Sequence, residues 1–277
     1  MTPKIGLALG GGGARGLAHI GILKVLLREQ IPIDVITGTS MGGIVGAMHA
    51  VGMTPEQMEA EATKRGEIGH IFKLVDLQLV GSGLLGGKRI KKMLIEMLGA
   101  ETTFADLRLP LAVIATDYNS GREVVLKEGN VADAVRATMS VPGVFEPVEL
   151  GGYQLLDGGV LDNVPVGVAR SLGAEKVIAV DVLPNFRLNQ PGQDPVVPPL
   201  KTKKVPKAYR ELWHVELVMI AALTEFRLKE SAPEVIIRPD LPVDMDLLLS
   251  FDRPQEAIEC GVQAAAAALP QIRALLK

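Results

Sequence analysis

The chain has 277 residues, 48% of them hydrophobic and 22% charged, and a formal net charge of −3. These values suit a globular protein with a substantial core, read as one domain over residues 1–277, and the lack of a basic excess excludes nucleic acid as the expected partner. The one cysteine, Cys260, leaves no intrachain disulfide framework and fits a reducing compartment; its helix-patterned surroundings make it a packed residue, not a nucleophile.

Lys4 precedes an apolar stretch, but four glycines and Arg15 interrupt it, so the N-terminus does not read as a signal peptide. The apolar run at 218–223 is bracketed by Glu216 and Glu225 and is too short to cross a bilayer. The expected location is the cytoplasm, with peripheral membrane contact as the option left open.

In chain order, Ile5 to Leu9 read as a short buried strand. A helix follows from Arg15 or Gly16 to Glu29, with Ile20, Leu23, Leu26 and Leu27 on one face. Asp34 to Thr37 form a second strand and Met41 to Val51 a second helix, ended by Gly52. Thr54-Pro55-Glu56-Gln57 has the form of a capping box with proline at the first helical position. This β-α-β-α opening predicts parallel strands with helices on both faces. Leu111 to Thr116 and Glu123 to Leu126 predict a hairpin, and Pro147 to Leu150 with Tyr153 to Leu156 a second one through Gly151-Gly152. Lys176 to Val182 and Glu234 to Ile237 read as later strands, and Pro254 to Leu276 as a terminal helix broken or bent near Pro270. The proline-rich run at 184–207 reads as a surface excursion, with a lid as the second reading.

Two neighbouring motifs carry the chemistry. Gly10-Gly11-Gly12-Gly13-Ala14-Arg15-Gly16 can aim backbone N–H groups of Gly11, Gly12 and Gly13 at a negative oxygen without obstruction by Cβ. Gly38-Thr39-Ser40-Met41-Gly42 has the form of a nucleophile elbow, in which small neighbours let a serine sit on a sharp strand-to-helix turn. Arg15 can brace the glycine loop through carbonyls or contact an anionic head group. The glycine loop also fits G-x-G-x-x-G, so dinucleotide binding is a rival reading. That reading wants an acid at the carboxyl end of the second strand, whereas Asp34 stands at its beginning.

A base for Ser40 is less obvious. His49 is nine residues further along the same helix, roughly 13 Å away at about 1.5 Å per residue. His19, His70 and His214 read as structural or surface residues. Asp157 is the stronger candidate: Asp157-Gly158-Gly159 follows a predicted strand, and the glycines permit close approach to other backbone. Asp117, Asp162, Asn163 and Asp181 lie near strand ends or turns; Asn163 can orient the Asp157 loop, with a local cap or turn role as the favoured reading. No group of residues has metal-ligand spacing. The cluster Lys88, Arg89, Lys91 and Lys92 could meet anionic lipid, or simply open a solvated helix.

Taken together, these motifs resemble the patatin-like phospholipases. Gly11–Gly16 is similar to that family's oxyanion block, Gly38–Gly42 to its elbow, and Asp157-Gly158-Gly159 to its base motif. Ala137-Thr138-Met139-Ser140-Val141-Pro142 resembles a further block, with Thr138 where serine is common. The resemblance implies a three-layer α/β/α sandwich around a mainly parallel sheet. It also implies a Ser40–Asp157 dyad that hydrolyses lipid acyl esters without histidine, metal or cofactor. The expected substrates are phospholipids or lysophospholipids. The alternatives are a broad carboxylesterase, a nucleotide-binding protein using the glycine loop, and a non-catalytic regulator on a hydrolase scaffold.

Overall fold

The computed structural model describes residues 3–66, 87–184, 207–248 and 250–277. His70, the apolar run before Lys88, and almost all of the proline-rich stretch lie outside the described residues.

The first half alternates strand and helix: β1 (Ile5–Leu9), α1 (Ala18–Arg28), β2 (Val35–Thr39) and α2 (Met41–Ala50). Then follow α3 (Pro55–Gly66), α4 (Lys88–Leu98), the hairpin β3 (Leu111–Asp117) and β4 (Glu123–Leu126), and α5 (Val131–Thr138). A second hairpin, β5 (Val148–Leu150) and β6 (Tyr153–Asp157), leads to α6 (Val166–Ser171) and β7 (Lys176–Val180). The described chain closes with α7 (Lys207–Ser231), β8 (Val235–Ile237) and α8 (Pro254–Ala274).

The strands form one sheet in the order β5-β6-β3-β2-β1-β7-β8, with β4 also on β3. The pairs β1–β2, β1–β7, β2–β3 and β7–β8 are parallel, while the two hairpins and the β3–β6 pair are antiparallel. Alternate residues of the central strands enter different cores, as a period of two requires. Leu7, Leu9, Val113, Ile178 and Val180 join the large core with α1, α2, α4 and α8. Ala8, Val177 and Ala179 face a smaller core with α6 and Leu228 of α7, and Ala112 and Ile114 meet Val168 of α6. Both faces are therefore covered, giving the three layers, and this is why these strands are apolar at nearly every position.

The capping box forms as expected: Thr54 N–H donates to Gln57 Oε1 at 2.8 Å and Gln57 N–H to Thr54 Oγ1 at 3.3 Å. Three expectations need correction. The helix expected from Arg15 or Gly16 begins as a 3₁₀ turn over Gly13–Leu17 and becomes α-helical only at Ala18. Leu27 is exposed, because the buried stripe of α1 runs through Ile20, Ile22, Leu23, Val25 and Leu26. Pro270 does not end α8, which is helical through Ala274; proline removes one donor there, on an exposed side of the helix.

Candidate active site

The glycine loop leaves the carboxyl end of β1 and Ser40 leaves the carboxyl end of β2, so parallel pairing brings them side by side. Ser40 has φ 53° and ψ −120°, a left-handed conformation that costs a non-glycine residue about 1–3 kcal/mol. The strain is held by the surroundings. Ser40 N–H donates to Thr138 Oγ1 at 3.0 Å, and Thr138 Oγ1 in turn donates to Ile114 O. Ser40 O accepts from Ile44 N–H at 3.0 Å, starting α2 directly at the serine. No side chain fits at the flanking glycines: a Cβ on Gly42 would stand 2.1 Å from Leu9 O, and one on Gly38 2.6 Å from the Gly42 backbone. The turn thus presents the serine at the positive end of a ten-residue helix.

Asp157 reaches Ser40 through a feature of sheet register. On one edge, β3 pairs with β4 over Val113–Thr116. The other edge is divided: β2 pairs with Leu111–Ile114, and β6 pairs antiparallel with Ala115–Asp117. Thr39 is opposite Ile114 and Asp157 is opposite Ala115, so β2 and β6 end toward each other on one edge. Two residues more than a hundred positions apart thus border one cavity, and the Ser40 side chain favours the ionised form of the Asp157 carboxyl.

The Asp157 side chain is otherwise held by the Gly159 N–H, which donates to Oδ1 at 2.8 Å. Its backbone is tied on both sides, N–H to Ser140 O at 2.9 Å and O from Thr116 Oγ1 at 3.2 Å. Burial pushes the Asp157 carboxyl up to about 6, against the opposing effects of Ser40 and Gly159. It is therefore ionised at neutral pH yet a stronger base than an ordinary carboxylate. Gly158 is required by close approach, since a Cβ there would meet Ile114 O at 2.2 Å.

Gly11, Gly12 and Gly13 border the same cavity as Ser40 and Asp157. Their amides are not equivalent. Gly11 N–H already donates to Asn163 O at 3.2 Å, whereas among the described residues Gly12 and Gly13 N–H have no backbone acceptor. Of the three expected donors, Gly11 is thus engaged by backbone, and Gly12 and Gly13 are the two left without a backbone acceptor. Gly13, with φ 53°, is pressed against the 247 backbone, where a Cβ would lie 2.0 Å from Leu247 O. Arg15 takes the bracing role and not the head-group role. It is buried, Nε donates to Val182 O at 2.9 Å and Nη1 to Pro242 O at 3.2 Å, and burial pushes its pKa down to about 10.

Among the described residues, no histidine lines the cavity that Ser40 and Asp157 border. Nε2 of the fully buried His19 bonds Gly10 O at 2.7 Å, and burial pushes its pKa down to about 4, so a neutral ring steadies the glycine loop. Burial also lowers His49. Asp117 caps its own turn, with Ser120 N–H on Oδ2 at 3.1 Å, and Asp181 pairs with Arg238 at 3.1 Å. Asn163 does more than the local cap expected of it. Its amide donates to Gly11 O at 3.2 Å while its carbonyl receives Gly11 N–H, so it joins the Asp157 loop to the glycine loop. Only the nearness of Asn163 to the Asp-Gly-Gly turn hinted at this.

Helix α7 forms a wall of the site that the motifs do not reveal. Trp213, Glu216, Leu217 and Ile220 share one face at helical spacing and border the cavity, as do Val141, Leu247 and Leu248. Arg227 Nη1 pins the helix to Asp162 and Glu123, each at 2.9 Å, while Asp162 O accepts the Thr39 hydroxyl at 2.8 Å. The cavity measures about 70 Å³.

Comparison with known proteins places the chain in a family. The family model described as patatin-like phospholipase matches residues 7–170, more than half of the chain. An uncharacterized NTE family protein of Mycobacterium tuberculosis is 35% identical over 183 residues, covering 65% of this chain and 49% of that protein. Human patatin-like phospholipase domain-containing protein 6 is 34% identical over 182 residues, covering 64% of this chain and 13% of that one. Neuropathy target esterase sws of Drosophila melanogaster is 30% identical over 276 residues, covering 93% of this chain and 19% of its own length. The chain thus spans about half or less of these relatives. Among solved structures, VipD from Legionella pneumophila superposes with a TM-score of 0.52 at 13% identity, over 99% of this chain and 67% of that one, a likeness of fold. By the family model, which covers more than half of it, the chain belongs to the patatin-like phospholipase family.

Proposed function

We propose that the protein is a serine acyl hydrolase that cleaves fatty-acyl esters of phospholipids or lysophospholipids through a Ser40–Asp157 dyad. The observation that carries this reading is the strained Ser40 sharing one cavity with a buried, base-strengthened carboxylate and with Gly12 and Gly13. Asp157 accepts the Ser40 proton as Oγ attacks the acyl carbon, so no free alkoxide forms. The carbonyl oxygen becomes an oxyanion facing Gly12 and Gly13 N–H; one such donor contributes about 2.7–4 kcal/mol in comparable sites. The C–O bond to the leaving alcohol breaks, Asp157 returns the proton to that oxygen, and acyl-Ser40 remains. Asp157 then takes a proton from water as the hydroxyl attacks, and the collapsing intermediate releases the fatty acid and restores Ser40.

A broad carboxylesterase is the second reading, favoured by the small cavity. The dinucleotide reading lacks support, because Asp34 is spent at the far end of the sheet, its Oδ2 accepting Ile5 N–H at 2.7 Å. No helix among the described residues is long and apolar enough to cross a membrane. Peripheral contact has two candidate surfaces. Leu212, Val215, Met219 and Phe226 form an exposed apolar stripe on the outer face of α7. Lys88, Arg89 and Lys92 are exposed on α4, whereas Lys91 pairs with Asp133 at 2.7 Å.

The test compares wild type with Ser40→Ala on lysophospholipid, phospholipid and 4-nitrophenyl butyrate. Release of fatty acid from the lipids by wild type alone supports the proposal. Turnover of the nitrophenyl ester without the lipids supports the carboxylesterase, and turnover surviving in Ser40→Ala overturns both.

A further inference from the structure

Glu216 has no role in the mechanism above, yet its placement is specific. It projects from α7 into the cavity that Ser40 and Asp157 border, between the apolar side chains of Trp213, Leu217 and Ile220. Asp157 and Glu216 are the titratable side chains among the described residues that line this cavity, and no lysine, arginine or histidine joins them. Glu216 makes no ion pair among the described residues, although α7 pairs Arg227 and Glu225 elsewhere. A structural carboxylate on a helix is normally exposed or paired with a cation. This one is half-buried and faces the reaction chamber instead.

Its electrostatic situation follows from that placement. Asp157 accepts the Gly159 N–H, is further favoured in its ionised form by Ser40, and so ionises first; Glu216 must then ionise in a poorly hydrated place beside an existing negative charge. Burial, and then Asp157, push it up to about 7. Above neutral pH the chamber holds two negative charges behind apolar walls, where screening is weak.

Resting on the hydrolase reading, we infer that Glu216 is a specificity-determining residue that selects acyl esters whose leaving group carries no negative charge into the cavity. Gly12 and Gly13 can stabilise the oxyanion in the presence of Glu216 because they face one developing charge at close range. A second anion on the leaving group would meet no cation among the described residues of the lining and would face Glu216. A lipid phosphate therefore has to remain outside the chamber during acyl transfer. Esters with an uncharged alcohol next to the carbonyl are the favoured class.

The experiment uses two esters of one shape, 3-(butanoyloxy)benzamide and the anionic 3-(butanoyloxy)benzoate, above neutral pH where Glu216 is ionised. The readout is the ratio of their kcat/KM values in wild type, Glu216→Gln and Glu216→Asp. The expected result is a preference of about tenfold or more for the amide in wild type, about fivefold or more smaller in Glu216→Gln and retained in Glu216→Asp. In wild type the preference also narrows as salt is raised, a readout that needs no variant. An equal ratio in wild type and Glu216→Gln, insensitive to salt, overturns the inference while leaving the hydrolase reading intact. Failure of wild type to turn over either ester while it still releases fatty acid from lysophospholipid overturns the inference alone; failure on the lipid as well overturns the hydrolase reading with it.

Discussion

Replacing Thr138 with valine removes one oxygen and almost no volume. That oxygen is fully buried, accepts the Ser40 N–H at 3.0 Å and donates to Ile114 O. Ser40 is already strained at φ 53°, and in Thr138→Val its amide loses its acceptor in a place water does not reach. A buried donor left unpaired costs about 1–3 kcal/mol, and the weakened Ile114 carbonyl adds to that. For a chain of this size the loss lowers the melting temperature by about 3–10 °C. The elbow also relaxes, so kcat falls by about tenfold or more while KM changes less, since Oγ no longer meets the acyl carbon at the productive angle. Thr138→Ser keeps the oxygen and loses only a methyl group that faces Gly43, worth about 1 kcal/mol. Calorimetry and steady-state ester hydrolysis on the two variants separate the effects. Equal melting and equal kcat in Thr138→Val and Thr138→Ser would refute the idea that this hydroxyl holds the elbow.

Three pH effects follow from two buried groups. Because Asp157 is pushed up to about 6, kcat/KM for a neutral ester should fall as pH drops through about 6, where the base takes up its proton, and not near the ordinary 3.8. Its stability effect has the opposite slope. The folded state keeps a proton that the unfolded chain has released, so this group weakens the fold as pH rises from 3.8 to about 6, and urea titrations of Asp157→Asn should lack that component. His19, pushed down to about 4 from 6.5, acts the other way: the unfolded chain binds the proton first, so stability drops as pH falls from 6.5 to about 4. The loss is on the order of 3 kcal/mol, and urea unfolding of His19→Gln should show a flatter pH dependence over that range; an unchanged slope would assign the acid sensitivity to other groups.

The motifs and the central strands were legible in the chain because their constraints are local. β1, β2, β3 and β7 are buried on both faces and so read as short apolar runs. The elbow needs glycine at 38 and 42 because backbone lies within about 2–3 Å of both. The meeting of Ser40 and Asp157 was not readable from periodicity. It depends on β2 and β6 dividing one edge of β3, a long-range register that no local pattern records; the family resemblance supplied the pairing. The difference between Gly11 and its two neighbours was hidden for the same reason, since it depends on Asn163, 152 positions away. Helix α7 escaped notice as a wall of the site because it is apolar on two sides. Trp213 and Leu217 face inward while Leu212, Val215, Met219 and Phe226 face outward, which blurs the one-sided pattern that marks an amphipathic helix. Glu216 therefore looked like the polar edge of an apolar run.

The most direct measurement is fluorophosphonate labelling with peptide mapping on wild type, Ser40→Ala and Asp157→Asn. A single adduct on Ser40 in wild type, none in Ser40→Ala, and labelling slowed by about a hundredfold or more in Asp157→Asn is the expected result. Rapid labelling of Ser40 in Asp157→Asn, or an adduct on another residue, would contradict the dyad.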